Sequence, residues 1–272
     1  MAKLIHYYSK TDIQMMGYII VTDENKVIFI DGGYRSDTED FLRVAKEAAG
    51  TDKLTVDAWF LTHGHGDHVD VFFETVEKYW DEVDVKKIYC NFPSAQYFRN
   101  YEKWLKNISV ETFYELLPRF ADRVCVVSAG DTYDIGGAKV DILYTCDDSI
   151  TENIGNNSSI VFSVMINGKK IMFLADLGVE GGEKLLRVHG KNLKSDICQM
   201  AHHGQRGVER DVYEAINPEI CLWDAPKWLW DNDMGDGFDT YQFETVKVRG
   251  WMEELGVKKN IVAKDGTQMI EL

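Results

Sequence analysis

The densest chemistry in the chain is the nine-residue run Thr62-His63-Gly64-His65-Gly66-Asp67-His68-Val69-Asp70. Three imidazoles and a carboxylate fall within its six positions from His63 to His68. In an extended segment, residues two apart project to the same side, so His63 and His65 can grip one ion together. Gly64 and Gly66 remove side chains that would crowd that ion and permit a tight loop. Asp67 and His68 then fall at the start of the following helix and point back to the same place, about one ion further along. Mixed imidazole and carboxylate donors suit zinc first, with manganese or iron as the next choices.

A second patch, His202-His203-Gly204, follows the strand-like ICQMA. Five of the seven His therefore lie in two short patches, each just beyond an expected strand. Strand ends are where α/β layers place their sites. His6 and His189 read as solvated or internally satisfied histidines. Asp176 closes the apolar run IMFLA, where a buried carboxylate is costly unless something cationic meets it. Alone, that position would suit a helix N-cap equally well; with two His patches it reads as a bridge between two metals. Asp31 repeats the pattern in FIDGG and reads as a group that orients a ligand His.

The elements that must position these residues show in the hydrophobic periodicity. Gly17–Ile30 reads as a hairpin, GYIIV and VIFI around a DENK turn. Thr38–Ala49 reads as a helix ending at Gly50. Val56–Leu61 suits one buried strand leading to Thr62-His63, and Val69–Trp80 a helix after the cluster. Lys86–Cys90 reads as a strand and Ser94–Leu105 as a helix with Ser94 as N-cap. From Val124 to Asp176 the pattern turns to β, with Asn167-Gly168 as a hairpin turn. Helices near Glu183–Val188, Asp211–Ile216 and Thr240–Leu255 alternate with strands at Asp196–Met200 and Glu219–Trp223. The chain closes with an expected hairpin through Asp265-Gly266. Two β-rich batches, each followed by helices, imply an α/β class with four layers, αββα. No linker, repeat or low-complexity stretch interrupts residues 1–272, which read as a single domain.

Composition narrows the function. Apolar residues make up 45% of the 272, enough for a sizeable core, which excludes global disorder. With 30 Lys+Arg against 45 Asp+Glu the net charge is −15, which disfavours a broad electrostatic grip on long nucleic acid. A metal pair would reverse the field locally and still hold a small phosphoester. No apolar run approaches the ~18 residues of a membrane span, and the N-terminus lacks a signal-peptide pattern. The five Cys are odd in number, widely spaced and without a CxxC pair, so a reduced, cytoplasmic setting is expected.

In this order, Asp31-Gly-Gly, His63-x-His65-x-Asp67-His68, Asp176 and His202-His203-Gly resemble the metallo-β-lactamase-fold hydrolases over nearly the whole chain. The segments NNSSIVFSV, NGKKIMFLADLG and CQMAHHG resemble the hydrolase domain of competence proteins and their phosphorylcholine esterase relatives. The closing LGVKKNIVAKDGTQMIEL resembles that branch's final hairpin. The resemblance implies a β sandwich between helices with a dinuclear site at one edge. It implies that His63 and His65 hold one metal and Asp67 and His68 the other, with Asp176 bridging. It assigns the last ligand to His203, directly before Gly, and leaves His202 as a nearby donor to substrate or leaving group. One departure stands out: no His occurs between Val69 and Val188, so the β-lactamases' third His for the first metal is missing. Water, Asn157 or a carboxylate of Asp147-Asp148 are the expected substitutes, as in the competence-like branch, which also lacks that His.

The expected activity is metal-dependent hydrolysis of a phosphodiester or small phosphoester. A carboxylic ester, thioester or lactone hydrolase on the same site, and a non-catalytic metal-binding module, are the alternatives. Two ions sharing a water lower its pKa towards ~7. Asp67 is expected to orient that water as well as ligate, and Asn156, Asn157 and Ser158 offer uncharged donors beside it. Asn157 and His202 are accordingly candidate catalytic residues. Trp228, Trp230 and the acidic DNDMGDG loop read as a substrate-shaping lid or as plain packing, and Arg206 and Arg210 as phosphate contacts or solvated surface.

Overall fold

The computed structural model describes residues 1–102 and 109–272. Among these the strands are β1 (Lys3–His6), β2 (Gly17–Val21), β3 (Val27–Asp31), β4 (Leu54–Val56), β5 (Ala58–Phe60), β6 (Val83–Val85), β7 (Ile88–Cys90), β8 (Val124–Val126), β9 (Thr132–Ile135), β10 (Ala138–Tyr144), β11 (Val161–Ile166), β12 (Lys169–Phe173), β13 (Ile197–Gln199), β14 (Ile220–Trp223), β15 (Lys259–Val262) and β16 (Gln268–Glu271). Seven of them form one sheet in the order β16-β1-β2-β3-β5-β7-β8, and seven form another in the order β15-β14-β13-β12-β11-β10-β9. Each sheet is antiparallel on one side and parallel on the other. The parallel neighbours are β3, β5, β7 and β8 in the first sheet and β12, β13, β14 and β15 in the second.

Among the described residues, three large apolar cores separate four layers. Alternation with a period of two decides which core each side chain joins. Along β2 and β3, Tyr18, Ile20, Ile28 and Ile30 face the second sheet, while Ile19, Val21 and Phe29 face helices. Phe60 stacks on Phe162 at 4.9 Å and Phe162 on Phe173 at 5.2 Å, which joins the two sheets at the middle of the sandwich. On the outer side of the first sheet, Phe29 and Trp59 pack with Phe41 and Phe72 of the helices Thr38–Ala49 and Gly66–Glu74. On the outer side of the second sheet, Met172 and Cys198 pack with Leu185, Val212, Tyr213 and Met252 of three further helices. The architecture is an αββα sandwich.

Several elements differ from the sequence expectation. Val56–Leu61 is not one strand: Asp57 breaks it, its carboxylate accepting the Val27 N–H and its own N–H bonding the Val27 carbonyl. β4 thereby leaves for a small two-stranded pairing with β6, while β5 stays in the main sheet. The closing hairpin is not a hairpin. β15 pairs with β14 in one sheet and β16 with β1 in the other, with the turn Ala263–Asp265 crossing the sandwich edge. The expected helix Thr240–Leu255 starts only at Thr245, because Asn232 holds the Tyr241 carbonyl and the Phe243 N–H in a loop. The helix expected over Ser94–Leu105 is seen as Ala95–Tyr101, with Ser94 Oγ accepting the Tyr97 N–H; residues 103–105 lie outside the described residues. Among the described residues, no helix is long and apolar enough to cross a membrane.

Candidate metal centre

The parallel halves of both sheets aim their C-terminal ends at one edge, and the chemistry collects there. Asp31 ends β3, Thr62 and His63 follow β5, Asp176 follows β12, and His202 and His203 follow β13. Four non-glycine residues at these ends have left-handed backbone: Asp31 (φ 52°), Ala175 (φ 49°), His202 (φ 51°) and His203 (φ 58°). Such conformations cost on the order of 1–3 kcal/mol each and persist where surrounding structure enforces them. The Trp59 indole N–H bonds the Asp31 carbonyl and the His202 N–H bonds the Ala175 carbonyl, which ties down three of the four. Gly204 follows at φ 85°; a Cβ there would fall 2.1 Å from the Trp223 ring, so only glycine lets the backbone pass.

Two groups of ligand-type atoms result: His63, His65 and Asp176, and Asp67, His68 and His203, the atoms of each lying within 4.8 Å of one another. In the first, His63 Nε2 lies 3.0 Å from His65 Nδ1 and 3.8 Å from Asp176 Oδ2. In the second, His203 Nε2 lies 3.3 Å from Asp67 Oδ2 and 3.4 Å from His68 Nε2. Asp176 touches this group too, with Oδ1 3.2 Å from His68 Nε2 and Oδ2 3.3 Å from His203 Nε2. The carboxylate thus stands between the two groups.

Asp31 sets the histidine tautomers. Its carboxylate accepts the Thr62 N–H, the Thr62 hydroxyl at 2.6 Å and the His68 Nδ1–H at 2.7 Å. With its proton given to Asp31, the Thr62 oxygen is left to accept from His63 Nδ1 at 3.1 Å. Both rings therefore carry hydrogen on Nδ1 and present Nε2 to the site, an arrangement suited to metal binding.

The electrostatics divide the two groups. Burial and the neighbouring His68 and His65 push His63 well below the usual imidazole value, and burial lowers His65. Burial alone would lower His203 as well, but Asp176 and Asp67 outweigh it and push it up to about 10. His68 likewise lies well above its ordinary value because Asp176, Asp31 and Asp67 surround it. Burial opposes ionisation of Asp67, yet His68 and His203 hold it at about 2. The groups fit a pair of divalent cations on the chemistry of their donors. Fully buried imidazole nitrogens converge on carboxylates, and buried Asp176 Oδ1 has no hydrogen bond of its own.

His202 stands apart from both groups. Its Nδ1–H donates to the Arg206 carbonyl at 2.9 Å, which leaves Nε2 as a lone pair 3.9 Å from Asp176 Oδ2. Its side chain is 23% exposed, whereas His63, His68 and His203 are sealed. Asn157, expected as a catalytic donor, is not one. Its Nδ2 donates to the Glu152 carbonyl and the Glu180 carboxylate, and its Oδ1 accepts the Gly178 and Gly181 N–H groups. All its hydrogen-bonding capacity is spent inside the fold. Asp147 does not reach the site either: it pairs with Lys184 and caps Ser149. Of the expected uncharged donors it is Asn156, one position earlier, that meets the site residues, its Nδ2 lying 3.4 Å from His202 Nε2.

The other expected contacts are structural. Trp230 packs edge-on against Trp223 at 5.2 Å and carries the Arg249 guanidinium over its ring at 4.1 Å. Trp228 donates to the Asp12 carbonyl, and Arg210 pairs with Glu214 and Glu254 on the surface. His6 is sealed in the core, where Asp224 bonds it at 2.9 Å, and His189 bonds the Leu143 carbonyl. A surface hollow of about 720 Å³ beside Glu39, Arg43, Lys46 and Tyr79 holds none of the site residues.

Residues 17–103 match the sequence model of the metallo-beta-lactamase superfamily. Solved structures of that fold superpose on the whole chain. The chain has the metallo-β-lactamase fold. The fold protein YhfI from Bacillus subtilis is 12% identical, with all of both chains covered and a TM-score of 0.58. CmlA, a diiron β-hydroxylase from Streptomyces venezuelae, is 14% identical with a TM-score of 0.58; 99% of this chain matches 54% of that enzyme. A diphosphatase of the PhnP family is 14% identical over 100% of this chain and 98% of its own, with a TM-score of 0.50. No curated protein sequence matches the chain.

Proposed function

We propose that the chain is a dinuclear metal-dependent hydrolase of a phosphodiester or small phosphoester. The observation that supports this most is the pair of three-residue groups joined by Asp176, with His202 at their open side. In this reading His63 and His65 hold one ion and Asp67, His68 and His203 the other, with Asp176 shared; zinc is the first choice and manganese or iron the next. Two such ions would supply Lewis acidity and lower the pKa of water towards neutrality. The chain's own groups do the rest. Asp67, held ionised at about 2, accepts a hydrogen bond from an attacking water and orients it. His202 Nε2, an acceptor in its resting tautomer, takes up one proton and returns it to a leaving oxygen. Asp31, through Thr62 and His68, keeps the imidazoles aimed.

The substrate class follows from charge and the donor set. A net charge of −15 disfavours an electrostatic grip on a long polymer, while a small phosphoester needs only the local cations. The diphosphatase among the fold relatives is compatible with this choice, and the diiron hydroxylase indicates that the fold also hosts oxidative chemistry. The five free cysteines accord with a reduced, cytoplasmic compartment. The test is turnover of bis-p-nitrophenyl phosphate against p-nitrophenyl acetate with Zn²⁺ or Mn²⁺ added. Preference for the phosphodiester is expected; preference for the acetate would move the assignment to carboxylic esters.

A further inference from the structure

The two half-sites are unequally provided with protein donors. Among the His, Cys, Asp and Glu of the described residues, Asp67, His68 and His203 surround one position with Asp176 alongside, whereas the other gathers His63, His65 and the shared Asp176. Divalent ions of this class take four to six donors. We propose that Asn156 Oδ1 is the further protein donor to the His63–His65 position. This inference rests on the two-ion reading above.

Four observations converge on that atom. First, Asn156 is 95% buried (5% exposed), and its Oδ1 has no hydrogen-bond partner. A buried amide oxygen without a partner is costly and asks for a cation or a donor. Second, the amide turns its Nδ2, not its Oδ1, towards His202. In the tautomer in which His202 Nδ1–H bonds the Arg206 carbonyl, Nε2 accepts from Asn156 Nδ2 at 3.4 Å, which leaves Oδ1 free of that ring. Third, the turn Ile154–Asn157 that carries Asn156 closes directly on the first half-site. At Gly155 a Cβ would fall 2.5 Å from His65 Nε2, so the backbone lies against the rear of the ring whose Nδ1 faces His63. Fourth, the same turn is tied to the other side of that half-site. Ser159 Oγ accepts the Asp176 N–H, and Asn157 Oδ1 accepts the N–H groups of Gly178 and Gly181 just beyond Asp176. Asn156 thus sits on a turn that packs against His65 on one side and leads into the segment tied to Asp176 on the other.

A neutral amide oxygen is a harder and weaker donor than imidazole. It tilts the first position towards manganese or iron and away from zinc relative to a three-imidazole site.

The experiment is calorimetric titration of the metal-free, full-length protein with Mn²⁺ and with Zn²⁺, alongside the visible spectrum of the Co²⁺-loaded form. Wild type is expected to take two ions in two steps. Asn156→Ala should weaken one step by about tenfold or more, leave the other unchanged and alter the Co²⁺ spectrum. Asn156→Asp, nearly the same shape with a charged oxygen, should tighten that step, and Asn156→His should shift its preference towards Zn²⁺. These two variants decide the matter if the alanine variant fails to fold. Wild-type affinities and spectrum in Asn156→Ala, or no tightening in Asn156→Asp, would overturn the assignment while leaving the two-ion reading intact. A wild type that takes up one ion or none overturns both.

Discussion

The two halves of the centre are built from the same residue types and held in different ways. The Asp67–His68–His203 half is locked by charge: its histidines are held protonated by Asp31, Asp67 and Asp176, and two of its three residues are sealed from solvent. The His63–His65 half is held by shape: its imidazoles stay neutral, one propped by Thr62 and the other pressed against Gly155. The difference shows how one fold can make one cation position insensitive to small changes and leave the other adjustable. Its donor set is completed from a loop, and the partly exposed His202 lies beside it.

The largest effect should come from the one residue both halves share. Asp176→Ala is expected to lower phosphodiester turnover on the order of a thousandfold or more and to reduce metal content. Turnover near the wild-type rate would remove Asp176 from the bridging position.

Changing pH should separate the halves next. His203 sits at about 10 in the metal-free fold, above an unfolded value near 6.5, so its proton stabilises the metal-free fold fully below pH ~6.5 and that stabilisation is lost as pH rises towards ~10. An ion entering the Asp67–His68–His203 half must displace that proton. Apparent affinity there should rise about tenfold per pH unit between pH 6 and 8, or more steeply with His68 contributing. Asp67, already ionised above pH ~2, adds no slope. The His63–His65 half carries no such proton, and its affinity should stay nearly flat above pH ~6.5. Titrations at several pH values that show equal slopes for both steps would erase the distinction.

A smaller effect is expected from Asp31→Ala, which removes the acceptor of His68 and Thr62. Ion binding at the Asp67–His68–His203 half should weaken about 10–100-fold, with a smaller loss at the other half through Thr62. Unchanged binding in a folded variant would mean that packing alone orients His68.

Much of this centre is legible in the sequence, because its signal is local. The spacing His63-x-His65-x-Asp67-His68 places the ligand-type atoms whatever the fold around them, and the Asn167-Gly168 turn and the helix Thr38–Ala49 follow from neighbouring residues alone. What the sequence hides is long-range or strained. Nothing marks Ala175, His202 and His203 as left-handed, since no glycine or asparagine stands there to signal it. Asn156 and Asn157 are identical in type and adjacent, and only the tertiary partners show that one is spent on Gly178, Gly181 and Glu180 while the other faces His202. The final strands read as a hairpin because local spacing cannot tell a turn within one sheet from a crossing between two. β1 escapes notice for a related reason: its stability comes from partners at both ends of the chain, β2 and β16.

The central claim is that two cations share Asp176. Metal analysis of the full-length protein after loading with Zn²⁺ or Mn²⁺ and removal of excess tests it most directly. About two ions per chain are expected, falling to about one when His63 and His65 are both changed to alanine and likewise when Asp67 and His203 are. Fewer than one ion per chain in the wild type, or two ions retained in either double variant, would contradict it.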